Sequence, residues 1–169
     1  MFTTPMTPRA ARVIGEAVDV AMENGDITVR PDHLLTLLLD DMSRTIVGDM
    51  LESFEHVTLS ELKLAQSIWE AQELLPQPLD DVFVSSPAFD ETFLTVVRKA
   101  EEVLSFGETH VDLEHLLLGV ALEPLALAGR FLAIRGADHV RLRQRLIHLR
   151  EERRDSLVIA ELEYQLARV

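Results

Sequence analysis

Early in the chain, apolar residues recur at helical spacing, stop, and recur again. Ala10, Val13, Ile14, Ala17, Val18, Ala21 and Met22 fall three and four apart, which is the pattern of one buried helix face. Thr7 precedes it as an N-cap, and Pro8 takes the first helical position, where a missing N–H costs nothing. Asn24-Gly25 stops this helix. A short extended link, Ile27-Thr28-Val29, leads to Pro31 and a second helix bearing Leu34, Leu35, Leu38 and Leu39. Ser43 is the expected cap of a third, with Ile46, Val47, Met50, Leu51 and Phe54 on one face. Thr58-Leu59-Ser60-Glu61 reads as a capping box opening a fourth, with Leu62, Ala65, Ile68 and Trp69 inward.

Residues 75–88 hold three prolines and form the clearest linker, with Val82-Phe83-Val84 expected to lie extended across the surface. The plan then repeats. Phe89, Phe93, Val96, Val97, Ala100, Val103 and Leu104 line a helix ended by Gly107. Asp112 caps the next, which carries Leu116, Leu117 and Val120. Pro124 opens a helix with Leu125, Leu127, Phe131 and Leu132, closed by Gly136, and Asp138 starts the last long one, with Val140, Leu142, Leu146, Ile147 and Leu149. The fold class is therefore all-α: two pseudo-twofold repeats of about four helices each. Repeat one covers about 7–74 and repeat two about 89–154 of a domain spanning 1–154. Residues 155–169, with Leu157, Val158, Leu162 and Leu166, form a C-terminal helical extension, either a ninth helix or a continuation.

The repeat is sharpest at Val111-Asp112-Leu113-Glu114-His115-Leu116-Leu117-Leu118-Gly119, echoed at Val29-Arg30-Pro31-Asp32-His33-Leu34-Leu35-Thr36-Leu37. Gly25 stands seven residues before Asp32, and Gly107 seven before Glu114, so the two copies lie 82 residues apart. Asp32 and Glu114 fall in first helical turns, where the macrodipole favours an acid, and His33 and His115 are then packing or capping groups. The other reading is a carboxylate offered at a helix start to grip a cationic partner.

Composition narrows this further. With 169 residues, 47% of them hydrophobic, the chain can bury a real core, and aromatics at 5% make that core aliphatic. There is no cysteine, no signal-like N-terminus and no apolar run of membrane-spanning length, so a cytoplasmic protein without membrane contact is expected. The net charge of −13 argues against nucleic acid. It is uneven: residues 1–129 hold 7 basic and 23 acidic side chains, residues 130–169 hold 9 and 6. Arg141, Arg143, Arg145, Arg150, Arg153 and Arg154 crowd the last helix. Beside Glu151, Glu152 and Asp155 they form either a solvated ion-paired face or a docking face for an acidic partner, with Arg141, Arg145 and Arg153 as its candidates. The leucine stripe beyond them makes a homodimer through the extension an expectation. The six histidines form no His-x-x-x-His pair and no Gly-x-Ser-x-Gly elbow exists, so no metal, no cofactor and no enzymatic activity are expected.

Thr7-Pro8-Arg9-Ala10, the helix, Gly25 and the acid-His-Leu-Leu run resemble the N-terminal domain of the Clp unfoldases (the ClpA and ClpC type), in which the motif occurs twice. Glu114-His115-Leu116-Leu117-Leu118-Gly119 keeps the pattern letter for letter, and the resemblance covers roughly residues 5–150. It implies a non-catalytic protein- or peptide-binding module that recruits substrate or adaptor to a Clp unfoldase or protease, or else a stand-alone accessory subunit regulating a Clp protease ring. In the ClpC branch the equivalent glutamates help bind phosphorylated arginine and the helix-start threonine contacts phosphate. Thr7, Asp32 and Glu114 match, with His33 and His115 beside the acids. Repeat two departs, with Phe89 where the threonine is expected and Glu91 where the arginine is. No P-loop is present, since the lysines Lys63 and Lys99 do not follow glycine. The chain is therefore expected to be either a stand-alone N-domain protein, the favoured reading, or the N-domain of a larger one.

Overall fold

The computed structural model describes residues 4–40, 45–76, 87–105 and 107–168. Among these, eight helices follow one another: α1 (Pro8–Glu23), α2 (Pro31–Asp40), α3 (Ile46–Leu51), α4 (Leu59–Ala71), α5 (Glu91–Glu102), α6 (Leu113–Ala121), α7 (Leu127–Ile134) and α8 (His139–Ala167). The fold is all-α, as expected. The Thr7 hydroxyl accepts from Ala10 N at the start of α1, and Gly25, at φ 73°, lets the chain leave it. The expected cap Ser43 and most of the linker, Val82-Phe83-Val84 included, lie outside the described residues.

Two short extended pairings hold the repeats together. β1 (Thr28–Val29), which enters α2, runs parallel to β2 (Ala88–Phe89), which enters α5. Met6, entering α1, bridges to Val111, entering α6, with Thr7 N donating to Val111 O (2.9 Å) and Val111 N to Pro5 O (2.9 Å). Each repeat thus lends a helix entry to the other. One core results, not two. Leu34, Leu35, Met50 and Leu62 from the first half are fully buried with Phe93, Leu116, Leu117, Phe131 and Leu132 from the second. Gly119 sits where α6 meets α5: a Cβ there would stand 2.4 Å from Val96 O.

Several sequence expectations shift. The extended pairing makes Phe89 the counterpart of Met6, so Asp90, not Phe89, stands where Thr7 does and caps α5 through Thr92 N (2.7 Å). The repeat offset is therefore one residue longer at the first helix of each copy than at the second. α5 ends at Glu102, ahead of Gly107. α7 starts at Leu127 and not at Pro124, because the Glu123 carboxylate accepts from Leu125 N (3.0 Å) and holds a turn there, leaving Leu125 exposed. Only the threonine half of the Thr58–Glu61 box forms, since the Glu61 carboxylate lies 3.7 Å from His56 and 3.9 Å from Arg135. Ile68, Val140 and Ile147 face outward. The extension continues α8 without a break across residue 154.

Candidate functional site

The two acid-histidine motifs fold alike. In repeat two, Asp112 N donates to His115 Nδ1 (2.9 Å) while the Asp112 side chain caps α6. In repeat one, Arg30 N donates to His33 Nδ1 (2.9 Å). With Nδ1 accepting, the ring proton sits on Nε2. That proton is given to Asp26 in repeat one (2.8 Å) and to Glu108 in repeat two (2.9 Å). Both rings are buried and both nitrogens of each are used. Asp26 and Glu108 were not singled out from the sequence, yet a signal existed: each directly follows the glycine that precedes its motif, Gly25 and Gly107.

Around these shared frames the charges differ. In repeat one, Arg30 turns inward. Its Nε and Nη2 donate to the two Asp32 oxygens (2.9 and 3.3 Å), and its Nη1 lies 3.4 Å from Asp26 Oδ1. That last contact has ion-pair distance but not hydrogen-bond direction, which leaves Nη1 without a hydrogen-bond partner. Gln66 donates to Asp32 Oδ2 (3.0 Å). Burial opposes the charge on Asp26, but the His33 N–H and the Arg30 guanidinium outweigh it and hold its pKa below the ordinary value. Burial likewise opposes charge on Arg30, and its bond to Asp32 and the two carboxylates raise its pKa. This network floors a cleft of about 600 Å³ between α1, α2 and α4, lined also by Thr36, Lys63, Ser67 and Glu70.

Repeat two presents an acid at the equivalent of Arg30. Asp112 reaches across the seam to α1: Arg9 Nε and Nη2 donate to its two oxygens (2.7 and 2.6 Å), and the Thr7 hydroxyl donates to Oδ1 (2.9 Å). Burial pushes the Asp112 pKa up, but Arg9, the Leu113 N–H and Thr7 pull it below the ordinary value, while the same bond raises that of Arg9. Glu114 is buried beside this pair. Its Oε1 stands 3.9 Å from Arg150 Nη2, and its Oε2 has no hydrogen-bond partner. Glu108 is opposed by burial, yet the Ser105 N–H, His115 and Arg150 hold its pKa down. Thr7 and Glu114 are thus brought to one seam; Asp32 belongs to the separate cleft.

Ligand atoms of Glu108, Glu114 and His115 gather within 4.8 Å. They do not suit a metal ion. His115 Nδ1 already takes a backbone N–H, so an ion on Nε2 would require an imidazolate, and the Arg150 guanidinium occupies Glu108 at 2.8 Å. Of the expected docking arginines, Arg145 donates to Asp49 O (3.3 Å) and Arg141 to Gly136 O (3.3 Å), whereas Arg153 edges a groove beside α3.

The sequence profile of the Clp repeat (R) N-terminal domain matches residues 5–135. The chain belongs to this family. Solved Clp N-domains share its fold. The N-terminal domain of the chaperone ClpD from Arabidopsis thaliana is 22% identical, with 85% of this chain and 96% of that one covered at a TM-score of 0.56. The N-domain of ClpV from Vibrio cholerae is 15% identical over 83% and 82%, at 0.61. A ClpV N-domain in complex with a VipB peptide is 14% identical over 76% and 75%, at 0.56. In this Clp N-domain no helix among the described residues is long and apolar enough to cross a membrane.

Proposed function

We propose that this Clp N-domain is a non-catalytic module that holds an arginine- or lysine-bearing segment of a substrate or adaptor protein for a Clp unfoldase. The observation that carries the reading is the repeat-one cleft, whose floor is Asp26 and Asp32 and whose rim carries Glu70. Arg30 lies between the two floor acids, so with Lys63 the lining sets three carboxylates against two bases and keeps a small negative excess, placed at Glu70 on the rim. Asn24, Thr36, Gln66 and Ser67 add groups that bond a peptide backbone. At its volume the cleft accepts one or two side chains. The ClpV N-domain with its VipB peptide supports the reading, because a protein of this fold holds a peptide. The seam with Thr7 and Glu114 is the second contact, and His33 and His115 act as positioning residues that set the helix starts. The segment is unmodified rather than phosphorylated on arginine, since the Thr7 hydroxyl and Arg9 both already donate to Asp112 and are engaged there rather than offered to a phosphate.

Fluorescence anisotropy with an arginine-rich peptide and its phosphoarginine counterpart tests this. Saturable binding of the first that weakens with salt, and weakens about tenfold in Glu70→Lys, is expected. No binding by the folded protein, or equal binding of both peptides, overturns it.

A second reading, an accessory subunit docking on a Clp ring, is favoured by the projection of α8 past the body, where every residue from Glu151 to Arg168 is exposed. Co-sedimentation with a ring, lost on truncation after Arg154, would establish it.

A further inference from the structure

We propose that Arg150 is a tethered guanidinium that closes a cation seat in repeat two, and that a partner's arginine side chain takes the seat by displacing it. The seat is the pair Glu108 and Glu114, the counterparts of Asp26 and Asp32 at the same offset of 82 residues. In both repeats the first acid of the pair accepts from the motif histidine, and in both a guanidinium bridges the two acids. Arg30 bridges the first pair, with two bonds to Asp32 (2.9 and 3.3 Å) and an approach of 3.4 Å to Asp26. Arg150 bridges the second pair from α8, its Nη2 lying 2.8 Å from Glu108 Oε2 and 3.9 Å from Glu114 Oε1.

The two bridges differ in how firmly they are made. Arg30 stands two residues before Asp32, and its side chain is 10% exposed against 28% for Arg150. Arg150 arrives from another helix, and its Nη1 donates to the Ser105 hydroxyl (3.3 Å) rather than to the second acid. Its 3.9 Å approach to Glu114 is beyond hydrogen-bond distance, and Glu114 Oε2 is buried with no hydrogen-bond partner. Arg9, the other base near Glu114, is engaged by both Asp112 oxygens. A buried carboxylate oxygen left unbonded costs free energy. A guanidinium free of the α8 backbone recovers it, because its N–H groups form a planar fork that matches a carboxylate. The way in is a pocket of about 330 Å³ lined by Glu108, Arg150 and Arg154 among others, which accommodates one side chain. The free protein thus presents an open cleft in repeat one and a closed seat in repeat two. A segment held in the cleft gains its second contact by supplying an arginine that exchanges with Arg150. This refines the contact proposed at Glu114 and rests on that reading for the identity of the guest.

Methylguanidinium tests the seat without any peptide. It is titrated into the full chain and followed by the amide NMR shifts of Ser105, Glu108 and His115. Because a tethered occupant lowers apparent affinity by the fraction of time it leaves the seat empty, Arg150→Gln is expected to bind the probe about tenfold more tightly than the wild type. Arg150→Lys, which keeps the charge but not the fork, is expected to show a smaller gain of the same sign. Adding Glu114→Gln to Arg150→Gln is expected to abolish the gain. Arg154→Gln, the same change of charge one turn further along α8, is expected to give none. No gain in either Arg150 variant, a gain that survives Glu114→Gln, or an equal gain in Arg154→Gln overturns the proposal. The arginine-rich peptide is likewise expected to bind Arg150→Gln more tightly than the wild type, and equal affinities overturn the exchange. If neither protein binds the peptide, the peptide-holding reading falls, while methylguanidinium still decides the seat.

Discussion

Asp112 ties the two repeats together, and replacing it with alanine measures how much the tie contributes. Three interactions are lost at once. The side chain caps α6, a role usually contributing about 1 kcal/mol. It receives the Thr7 hydroxyl at 2.9 Å in a partly buried setting, a bond of about 1 kcal/mol. It also receives Arg9 through two bonds, but the Arg9 side chain is 46% exposed, so solvent screening limits that pair to about 0.2–1 kcal/mol. The backbone bond from Asp112 to His115 survives the substitution. Together these give a loss of about 2–3 kcal/mol, or roughly 5–10 °C in Tm for a domain of this size. Urea unfolding followed by circular dichroism and by Trp69 fluorescence reads the midpoint with both probes. Arg9→Ala alone is expected to cost well under half as much, and the double-mutant cycle to return a coupling of about 0.5–1 kcal/mol. A midpoint unchanged in Asp112→Ala would refute the tie.

Two glycines give opposite expectations. Gly15→Ala, in α1 with open space around it, should raise stability by about 0.5–1 kcal/mol, while Gly119→Ala should lower it because its Cβ meets Val96 O at 2.4 Å; equal shifts in thermal melts would refute the α5–α6 contact. Asp26, Glu108 and Asp112 are all held below their ordinary pKa, so their contribution is complete above the unfolded values near about 4 and is lost as pH falls through the lowered folded ones. Melts should therefore be flat above about pH 5 and drop below about pH 4, less steeply in Asp112→Asn, and a drop of equal slope would count against Asp112. Truncation after Arg154 should leave the melting temperature of the body unchanged, since residues 155–168 are exposed, and a marked loss would show that the extension folds back.

The helices that the sequence made plainest were those with one narrow apolar face and a breaker at the end. α1 is of this kind, with its buried Ala10, Val13, Ile14, Ala17 and Ala21 and Gly25 behind them. In α4 and α8 the apolar spacing extends beyond the covered face, because spacing alone does not say how much of a helix the body covers: α4 buries Leu62 and Ala65 but leaves Ile68 exposed. The glycine and histidine of repeat two fix the register of α6 and not that of α5. Only the pairing of Phe89 with Val29 shows that Asp90 takes the cap. The motif acids were legible as residues, but their partners were not. Asp26 meets His33 across a turn, and Arg9 meets Asp112 across the whole repeat, a contact that local spacing does not encode.

The difference between the halves comes down to one position. Arg30 and Asp112 are counterparts, each donating its backbone N–H to the motif histidine. Asp112 points out and binds the other repeat. Arg30 points in, where it lets two buried acids lie close together. Removing Arg30 would leave Asp26 and Asp32 uncompensated, and breaking a buried pair in this way costs about 3–5 kcal/mol. The same neutralisation limits what the cleft can do. An arriving cation meets a floor already paired, so its attraction comes mainly from Glu70 at the rim and from the field of the acidic body. Binding there should be fast, salt-sensitive and weak for a single residue, and a segment would need its backbone bonded by Gln66 and Ser67 as well to be held. The proposed peptide-holding role requires release as much as capture, and a self-neutralised floor suits both.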